Sequence, residues 1–252
     1  MRILVVDVGG NNIKVRGPGR RNVIKIPSGP RLTAARMVRS VLDAAAGWTF
    51  DGVSIGYPGP VVDGHPAQEP HNLGRGWVRF DYRGAFKRPV RIINDAAMQA
   101  LGSYEGGRML YLGLGTGLGS ALVLDGLLVP TELAHLPYRK GMTYEDYLGQ
   151  RGYDRLGRKR WAVHLAHVVD ILRSALLVEY VVLGGGNVKR LNRLPHGCRM
   201  GSNANAFVGG VRIWQDVALR RRPPRPPPRA QRTTAGITLV SRSVAANRRT
   251  VA

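Results

Sequence analysis

Three times in this chain an apolar run ends abruptly in glycine: "ILVVDVGGNN" from Ile3, "MLYLGLGTGLG" from Met109 and "YVVLGGGN" from Tyr180. Runs of this length and composition read as buried strands. Glycine lacks a Cβ and tolerates positive φ, so Gly9 and Gly10 are expected to use that freedom for a tight reversal into a second strand starting near Ile13. Each tip offers unhindered backbone N–H groups, which suit phosphate oxygens. One such tip says little, because short glycine motifs are common. Three in a chain that alternates strands and helices point further, since a sheet gathers them at one edge. None is a Walker loop, because G-x-x-x-x-G-K-S/T is absent. "GLGTGLG" has glycine at every second position, Gly113, Gly115, Gly117 and Gly119. The last glycine of a G-x-G-x-x-G dinucleotide fingerprint would fall on Leu118, and a strand rather than a helix follows.

Between the tips the order is α/β. Val23 to Ile26 reads as a third strand. "TAARMVRSVLDAAAG" has helical apolar spacing, with Thr33 as N-cap and Gly47 as stop. "DGVSIGYPGPV" is a strand entering a Gly/Pro loop, and "PVRIINDAAMQALGSYEGG" is a strand and then a helix, joined at Asn94 and Asp95. The segment from Met109 to Val129 repeats the opening logic: strand, glycine hairpin, strand, Asp-Gly turn, strand. Two halves of this kind suggest an internal duplication. "TYEDYLG" has capping-box spacing at Thr143 and Asp146. Trp161, Leu165, Val168, Val169 and Leu172 share one face of a long amphipathic helix. "SNANAFVGGVRIWQ" is a final helix weakened by Gly209 and Gly210.

The 252 residues, 44% of them hydrophobic, are enough for one large domain or two modest ones. Cys198 is the only cysteine, which excludes an internal disulfide framework and any zinc cluster built on several cysteines. No apolar run approaches the roughly 20 residues of a membrane span. The chain enters a strand directly after Met1 and Arg2, with no leader-like stretch before it. The expectation is a cytoplasmic protein. The net charge is +22; the nine arginines after Leu219, with no acid among them, leave +13 on the rest. A basic body attracts polyanions. "RRRPPRPPPRAQR" cannot pack, since proline removes donors and arginines repel one another, so 217–252 is expected to be disordered, with "GITLVS" as a short strand lacking a partner. Such a tail offers a nucleic-acid contact.

Five positions carry candidate chemistry. Asp7, at the end of a buried strand, reads either as a hairpin-capping residue or as a carboxylate holding magnesium through water. Lys14 is a cation for phosphate charge. Asp95 reads either as the N-cap of its helix or as a general base that takes a proton from an attacking hydroxyl in phosphoryl transfer. In "ELAH", Glu132 and His135 stand three residues apart and face the same way on a helical turn. They suit a pair of vicinal hydroxyls, a metal with further ligands, or simply a surface turn.

In motif order from about Arg2 to Trp214, the chain resembles the ROK family of sugar kinases, and within it the polyphosphate-using glucokinases. "DVGGNNIK" resembles the family's D-x-G-G-T-x-x-K phosphate motif, "GYPGPV" its G-x-P-G loop, and "HNLGRGW" its N-L-x-x-W segment with one residue more. "NDAAMQALGSYEGG" resembles the segment with the catalytic aspartate, "LGLGTGLGSALVLDGLL" the second phosphate motif, "ELAH" the E-x-G-H motif, and "VVLGGGN" the later nucleotide-side loop. The resemblance implies the actin-like, ribonuclease H-like duplicated fold: an N-terminal lobe over 1–95, a C-terminal lobe over 96–216, and a cleft between them. It implies a homodimer and phosphoryl transfer from polyphosphate or ATP, with Mg2+, to the 6-hydroxyl of a hexose. Asp95 would then be the base. Asn94, Glu132, His135, Gly59 and Asn72 would hold the sugar. Asp7, Gly9, Gly10, Asn11, Asn12, Lys14, Gly115, Thr116, Gly117, Gly185 and Gly186 would hold the donor, with Asp7 also on magnesium. Asn11 stands where the family has threonine, and Ala134 where it has glycine. The family's cysteine-rich zinc motif after the histidine is missing, so His135 is not expected to bind zinc. A catalytically silent sugar- or nucleotide-binding regulator is the alternative these departures raise.

Overall fold

The computed structural model describes residues 1–215, so the expectations for the basic tail and for "GITLVS" lie outside the described residues. The chain opens with β1 (Ile3–Val8), β2 (Asn12–Arg16) and β3 (Ile24–Pro27), an antiparallel meander, and continues into α1 (Ala34–Ala44) and β4 (Gly52–Tyr57). A small hairpin, β5 (Val61–Val62) and β6 (His65–Pro66), and the short α2 (Tyr82–Phe86) precede β7 (Val90–Asn94) and α3 (Asp95–Ser103). The second half repeats the plan with β8 (Arg108–Leu114), β9 (Leu118–Leu124) and β10 (Leu127–Thr131). Then come the hairpin β11 (Pro137–Arg139) and β12 (Met142–Thr143), followed by α4 (Tyr144–Leu148), α5 (Gln150–Leu176), β13 (Tyr180–Gly184), β14 (Cys198–Met200) and α6 (Asn205–Arg212).

The two five-stranded sheets have orders β3-β2-β1-β4-β7 and β10-β9-β8-β13-β14. In both, the first three strands are antiparallel and the remaining pairings are parallel. Two sheets with one connectivity are the duplication that the paired glycine hairpins suggested, in the two-domain actin-like architecture. The burial of β1, β4 and β13 on every residue follows from helices covering both faces of their sheets, as parallel pairing demands.

α1 and α2 cover one face of the first sheet through Met37, Val38, Val41, Tyr82 and Phe86. The long α5 and α4 cover the second through Trp161, Leu165, Val168, Val169 and Leu172, the stripe legible in the sequence. α3 lies on β8 and β9 through Ala96, Ala97 and Ala100, while α6 packs Ala206 and Phe207 against Ile3 and Val5 of β1. α6 is intact despite its glycines, and they explain themselves. A Cβ on Gly209 would stand 1.8 Å from the Met98 carbonyl oxygen, one on Gly102 1.8 Å from that of Asn205, and one on Gly210 2.3 Å from Val5. These glycines let α3 and α6 touch backbone to backbone and seat α6 on the Val5 side chain of β1, and that packing outweighs their low helix propensity.

Local signals behaved as chemistry dictates. Thr33 caps α1 by accepting the Arg36 N–H. Thr143 and Asp146 form the capping box of α4 with both reciprocal bonds. Gly157, at φ +71°, kinks α5 inside the basic segment "RLGRKRW".

Candidate functional site

The first glycine tip joins β1 to β2, and its geometry corrects one expectation. Neither Gly9 nor Gly10 has positive φ. The reversal is closed by the Gly9 N–H donating to the Asn12 carbonyl at 3.0 Å. At Gly9 what requires glycine is space, because a Cβ would stand 3.0 Å from that carbonyl oxygen; a Cβ on Gly10 would rest against Asn72 Cβ at an ordinary 3.4 Å. The loop with Asn72 therefore lies against the tip. From the other side Ser28 holds it, donating its hydroxyl to the Gly9 carbonyl at 2.6 Å and its N–H to the Asn11 carbonyl at 3.0 Å. The side chains of Asn11 and Asn12 are exposed. Asp7 and Lys14 face each other in the β1–β2 register and form a 2.8 Å ion pair, with the Asp7 carboxylate buried and Lys14 partly exposed. The Lys14 ammonium is thus held in place by Asp7 and is not a free surface cation.

The second tip, between β8 and β9, carries no charged residue. Gly115 N–H donates to the Gly117 carbonyl at 3.1 Å, and Thr116 is exposed. Among the described residues, the amides of Gly10 and Asn11 in the first tip and of Thr116 and Gly117 in the second donate to no protein acceptor. Unclaimed N–H groups at a bare loop tip are what an anion requires. The third loop touches the second tip: Asn187 donates its side-chain amide to the Gly115 carbonyl at 3.0 Å. Gly185 sits at φ +82°, where a Cβ would stand 2.3 Å from the Leu114 carbonyl oxygen. Gly186 is exposed beside it.

Asp95 is the first residue of α3 and is not its N-cap. Asn94 caps the helix, its side-chain oxygen accepting the Ala97 N–H at 3.1 Å, while its amide donates to the Gly59 carbonyl at 3.1 Å. The capping explanation of Asp95 therefore falls away. One Asp95 oxygen accepts the Ala96 N–H at 2.8 Å. Two glycines bring α3 close: a Cβ on Gly56 of β4 would stand 3.5 Å from the Asp95 Cα, and one on Gly119 of β9 2.8 Å from Ala96 Cβ. The start of α3 is thereby wedged between the two sheets. Burial first, and then the Asp7 carboxylate, push the Asp95 carboxyl up to about 7; the Ala96 N–H and Lys14 oppose them, and Glu132 adds to the rise. That Asp7, Lys14 and Glu132 all act on Asp95 brings the first tip, the helix start and "ELAH" into one electrostatic neighbourhood. A carboxyl poised near neutrality is suited to proton transfer.

"ELAH" forms a 3-10 turn over Leu133–His135, entered from Glu132. Burial raises the Glu132 carboxyl; His135 opposes the rise and Glu145 adds to it, so the three side chains are neighbours. Glu145 escaped the sequence reading because it lies inside the capping box and passed for helix-start chemistry. Its carboxylate accepts the Leu118 N–H at 2.9 Å, and a Cβ on Gly117 would stand 2.3 Å from one of its oxygens. It thus links the second tip to the "ELAH" turn. Glu69, also missed, accepts the Trp77 N–H at 3.1 Å and so ties down the loop that carries Asn72. Two open grooves, one with Arg83 and Lys87 and one with Arg31 and Arg39, are not lined by Asp95. Among the described residues no helix is long and apolar enough to cross a membrane.

No family model matches the chain. It is 26% identical to a polyphosphate glucokinase of Mycobacterium leprae, over 75% of this chain and 64% of that relative. The match thus spans less than two thirds of the relative's length. Among solved structures, the inorganic polyphosphate/ATP-glucomannokinase of Arthrobacter sp. strain KM superposes with a TM-score of 0.71 at 25% identity, over 83% of this chain and 96% of the other. A ROK family glucokinase from Streptomyces griseus, solved in complex with glucose and AMPPNP, shares the fold with a TM-score of 0.65 at 17% identity, over 84% of this chain and 99% of the other.

Proposed function

We infer that this chain, which resembles the polyphosphate glucokinases of the ROK sugar-kinase family, is a hexose kinase that phosphorylates the 6-hydroxyl of glucose or a related hexose. The observation that carries the reading is the Asp95 carboxyl, raised to about 7 and acted on by Asp7, Lys14 and Glu132. In the reaction, the sugar oxygen forms a bond to the terminal phosphorus of ATP or polyphosphate as the bridging P–O bond breaks. The hydroxyl proton passes to Asp95, and the bridging oxygen leaves with the shortened donor. Such a transfer asks the protein mainly for position and charge.

Asn94, Glu132, His135, Gly59 and Asn72 would orient the sugar. The bare amides at Gly10 and Asn11 and at Thr116 and Gly117 would grip the donor's terminal phosphates, with Gly9, Asn12 and Gly115 shaping the tips, Lys14 adding positive charge, and Gly185 and Gly186 flanking the donor. The lobes 1–95 and 96–216 would close around both substrates and exclude water. No group of three or more acids, histidines or cysteines able to cage a metal occurs among the described residues. The buried Asp7 carboxylate fits an ion that arrives with phosphates, because magnesium needs only one or two carboxylates besides them. Asp7 would hold it through water, and when bound it would offset phosphate charge.

The test is to incubate the purified chain with glucose and other hexoses, each with ATP or polyphosphate, and to detect sugar phosphate. Formation of a hexose 6-phosphate is the expected result. Thermal stabilisation by a hexose with no turnover on any donor would replace the kinase by the silent regulator.

A further inference from the structure

Two glycines beside the loop tips are bare for a steric reason of their own. Gly113 stands next to the end of β8, ahead of the second tip, and Gly184 ends β13, ahead of the third loop. The two pair across the strands, as Tyr111 pairs with Val182 two residues back. Residues two apart on a strand face the same way, and this face looks onto α3, where Tyr111 packs with Ala96, Ala97 and Ala100. The buried Tyr111 side chain takes up the room that both glycines leave. A Cβ on Gly113 would stand 3.3 Å from its ring, and one on Gly184 would overlap its hydroxyl. The hydroxyl donates to the Gln99 side-chain oxygen at 2.6 Å. Gln99 lies four positions after Asp95, one turn further along the same side of α3. One oxygen atom thus sits where β8, β13 and α3 meet, the elements that carry the second tip, the third loop and Asp95. Burial first, then Asp95 and then Asp7, push the Tyr111 phenol up. It stays protonated and takes no proton from a substrate; what it does is donate to Gln99.

We propose that Tyr111 is a positioning residue for phosphoryl transfer: through Gln99, its hydroxyl sets where α3 holds Asp95 relative to the glycine loops that follow β8 and β13. The proposal rests on the kinase reading above and goes beyond it by naming what aligns the base with those loops. Transfer needs the base and the reacting groups in one geometry, and a small misplacement costs far more in rate than in binding. The alanines of α3 meet the second sheet through apolar contacts, which are non-directional. The Tyr111–Gln99 bond is directional, so it fixes the turn of the helix about its axis one step from Asp95. At the far end of α3, Tyr104 makes a bond of the same kind, its hydroxyl donating to the Gly107 carbonyl at 3.0 Å. Nine positions from Asp95, it provides a matched control.

The experiment compares the full native chain with Tyr111→Phe, Gln99→Met, the double variant and Tyr104→Phe. Sugar phosphate formation is followed across pH, with ATP and with polyphosphate, well below the melting temperature. Tyr111→Phe should lower kcat about tenfold and leave both KM values within about twofold. The acid limb of kcat/KM should stay at about 7, since no charge has changed. Gln99→Met should match it, and the double variant should be no slower than either, as for two ends of one bond. Tyr104→Phe should keep the native kcat. Tyr111→Phe and Tyr104→Phe should both melt about 2–4 °C lower, so lost stability does not account for a difference in rate. A native kcat in Tyr111→Phe leaves the kinase standing and overturns the proposal, reducing Tyr111 to a core side chain. An acid limb that moves, losses that multiply in the double variant, or an equal loss in Tyr104→Phe also overturn it. A native chain that forms no sugar phosphate on either donor removes the kinase reading and this role with it.

Discussion

The two glycine tips stand at the same point of two sheets with the same connectivity, yet they are built for different work. The first carries charge: Asp7 and Lys14 are paired at its base, and both act on Asp95. The second carries none and is cramped, with Gly119 against Ala96 and Gly117 against Glu145. A duplicated fold thus supplies two similar loops of free amides, and the side chains behind them divide the labour. The first half supplies the larger charge effects on Asp95, from Asp7 and Lys14, to which Glu132 of the second adds. The second crowds the start of the helix that carries it most tightly, at Gly119, with Gly56 of the first half on the other side.

The largest effect expected from breaking this division is at Asp95 itself. Asp95→Asn should lower kcat about a thousandfold, the scale of a lost general base, while the protein still binds sugar. In the native enzyme kcat/KM should rise with pH up to about 7, where Asp95 loses its proton, and then level off. The linkage has a definite sign. A carboxyl raised from 3.8 in the unfolded chain to about 7 in the folded one binds more protons when folded, so its contribution to stability is full below about pH 4 and is lost as pH rises through 7. Asp95→Asn should therefore become more stable than the native protein as pH increases from 5 to 8, by about 3 kcal/mol at the top of that range once solvent contact at this half-buried residue is discounted. Thermal melts across pH read this directly, and a constant difference between the two proteins would remove the assigned shift.

Lys14→Gln comes next. It takes away the cation that opposes the rise of Asp95 and leaves Asp7 buried without its partner. The acid limb of the rate profile should move to higher pH, and kcat/KM at pH 7 should fall about thirtyfold. A limb that stays in place would show that the first half does not tune Asp95. For the second half, Gly119→Ala forces a Cβ to 2.8 Å from Ala96 Cβ, so α3 or β9 must shift. Overpacking of this kind costs about 1–3 kcal/mol. Melting temperature and kcat should fall together, with the pH limb unmoved.

Much of this site was legible in the sequence because its parts lie in short contiguous stretches. "DVGGNNIK" contains the whole first tip with its acid and its cation, and the Asn94–Asp95 junction is a strand meeting a helix. The apolar stripe of α5 and the Thr143–Asp146 box were equally local. What the sequence hid were contacts between distant segments. Gly209 and Gly210 read as weak points of a helix, whereas they are where α6 touches Met98 and Val5. Glu145 read as part of a cap, whereas it accepts an N–H from the second tip. Which residue caps α3 was ambiguous because aspartate and asparagine are both good caps, and only the bond to Ala97 decides for Asn94. Even the reason for Gly9 changed, from backbone conformation to room beside the Asn12 carbonyl oxygen, and Gly10 proved to lie against Asn72, more than sixty positions away.

The smallest effect on folding separates the tips most sharply. At Gly10 the backbone is not in the left-handed region, and an added Cβ meets only Asn72 at an ordinary 3.4 Å. Gly10→Ala should therefore fold normally and gain a few tenths of a kcal/mol, because alanine restricts the unfolded chain more than glycine does. If the free amides of this tip grip the donor, the same methyl group stands where phosphate oxygens approach, and the donor KM should rise about fivefold while the sugar KM holds. Binding and folding would then move in opposite directions at Gly10 and in the same direction at Gly119. A melting temperature that drops by several degrees in Gly10→Ala would mean that glycine is needed there for packing, as at the second tip, and the two loops would no longer differ in kind.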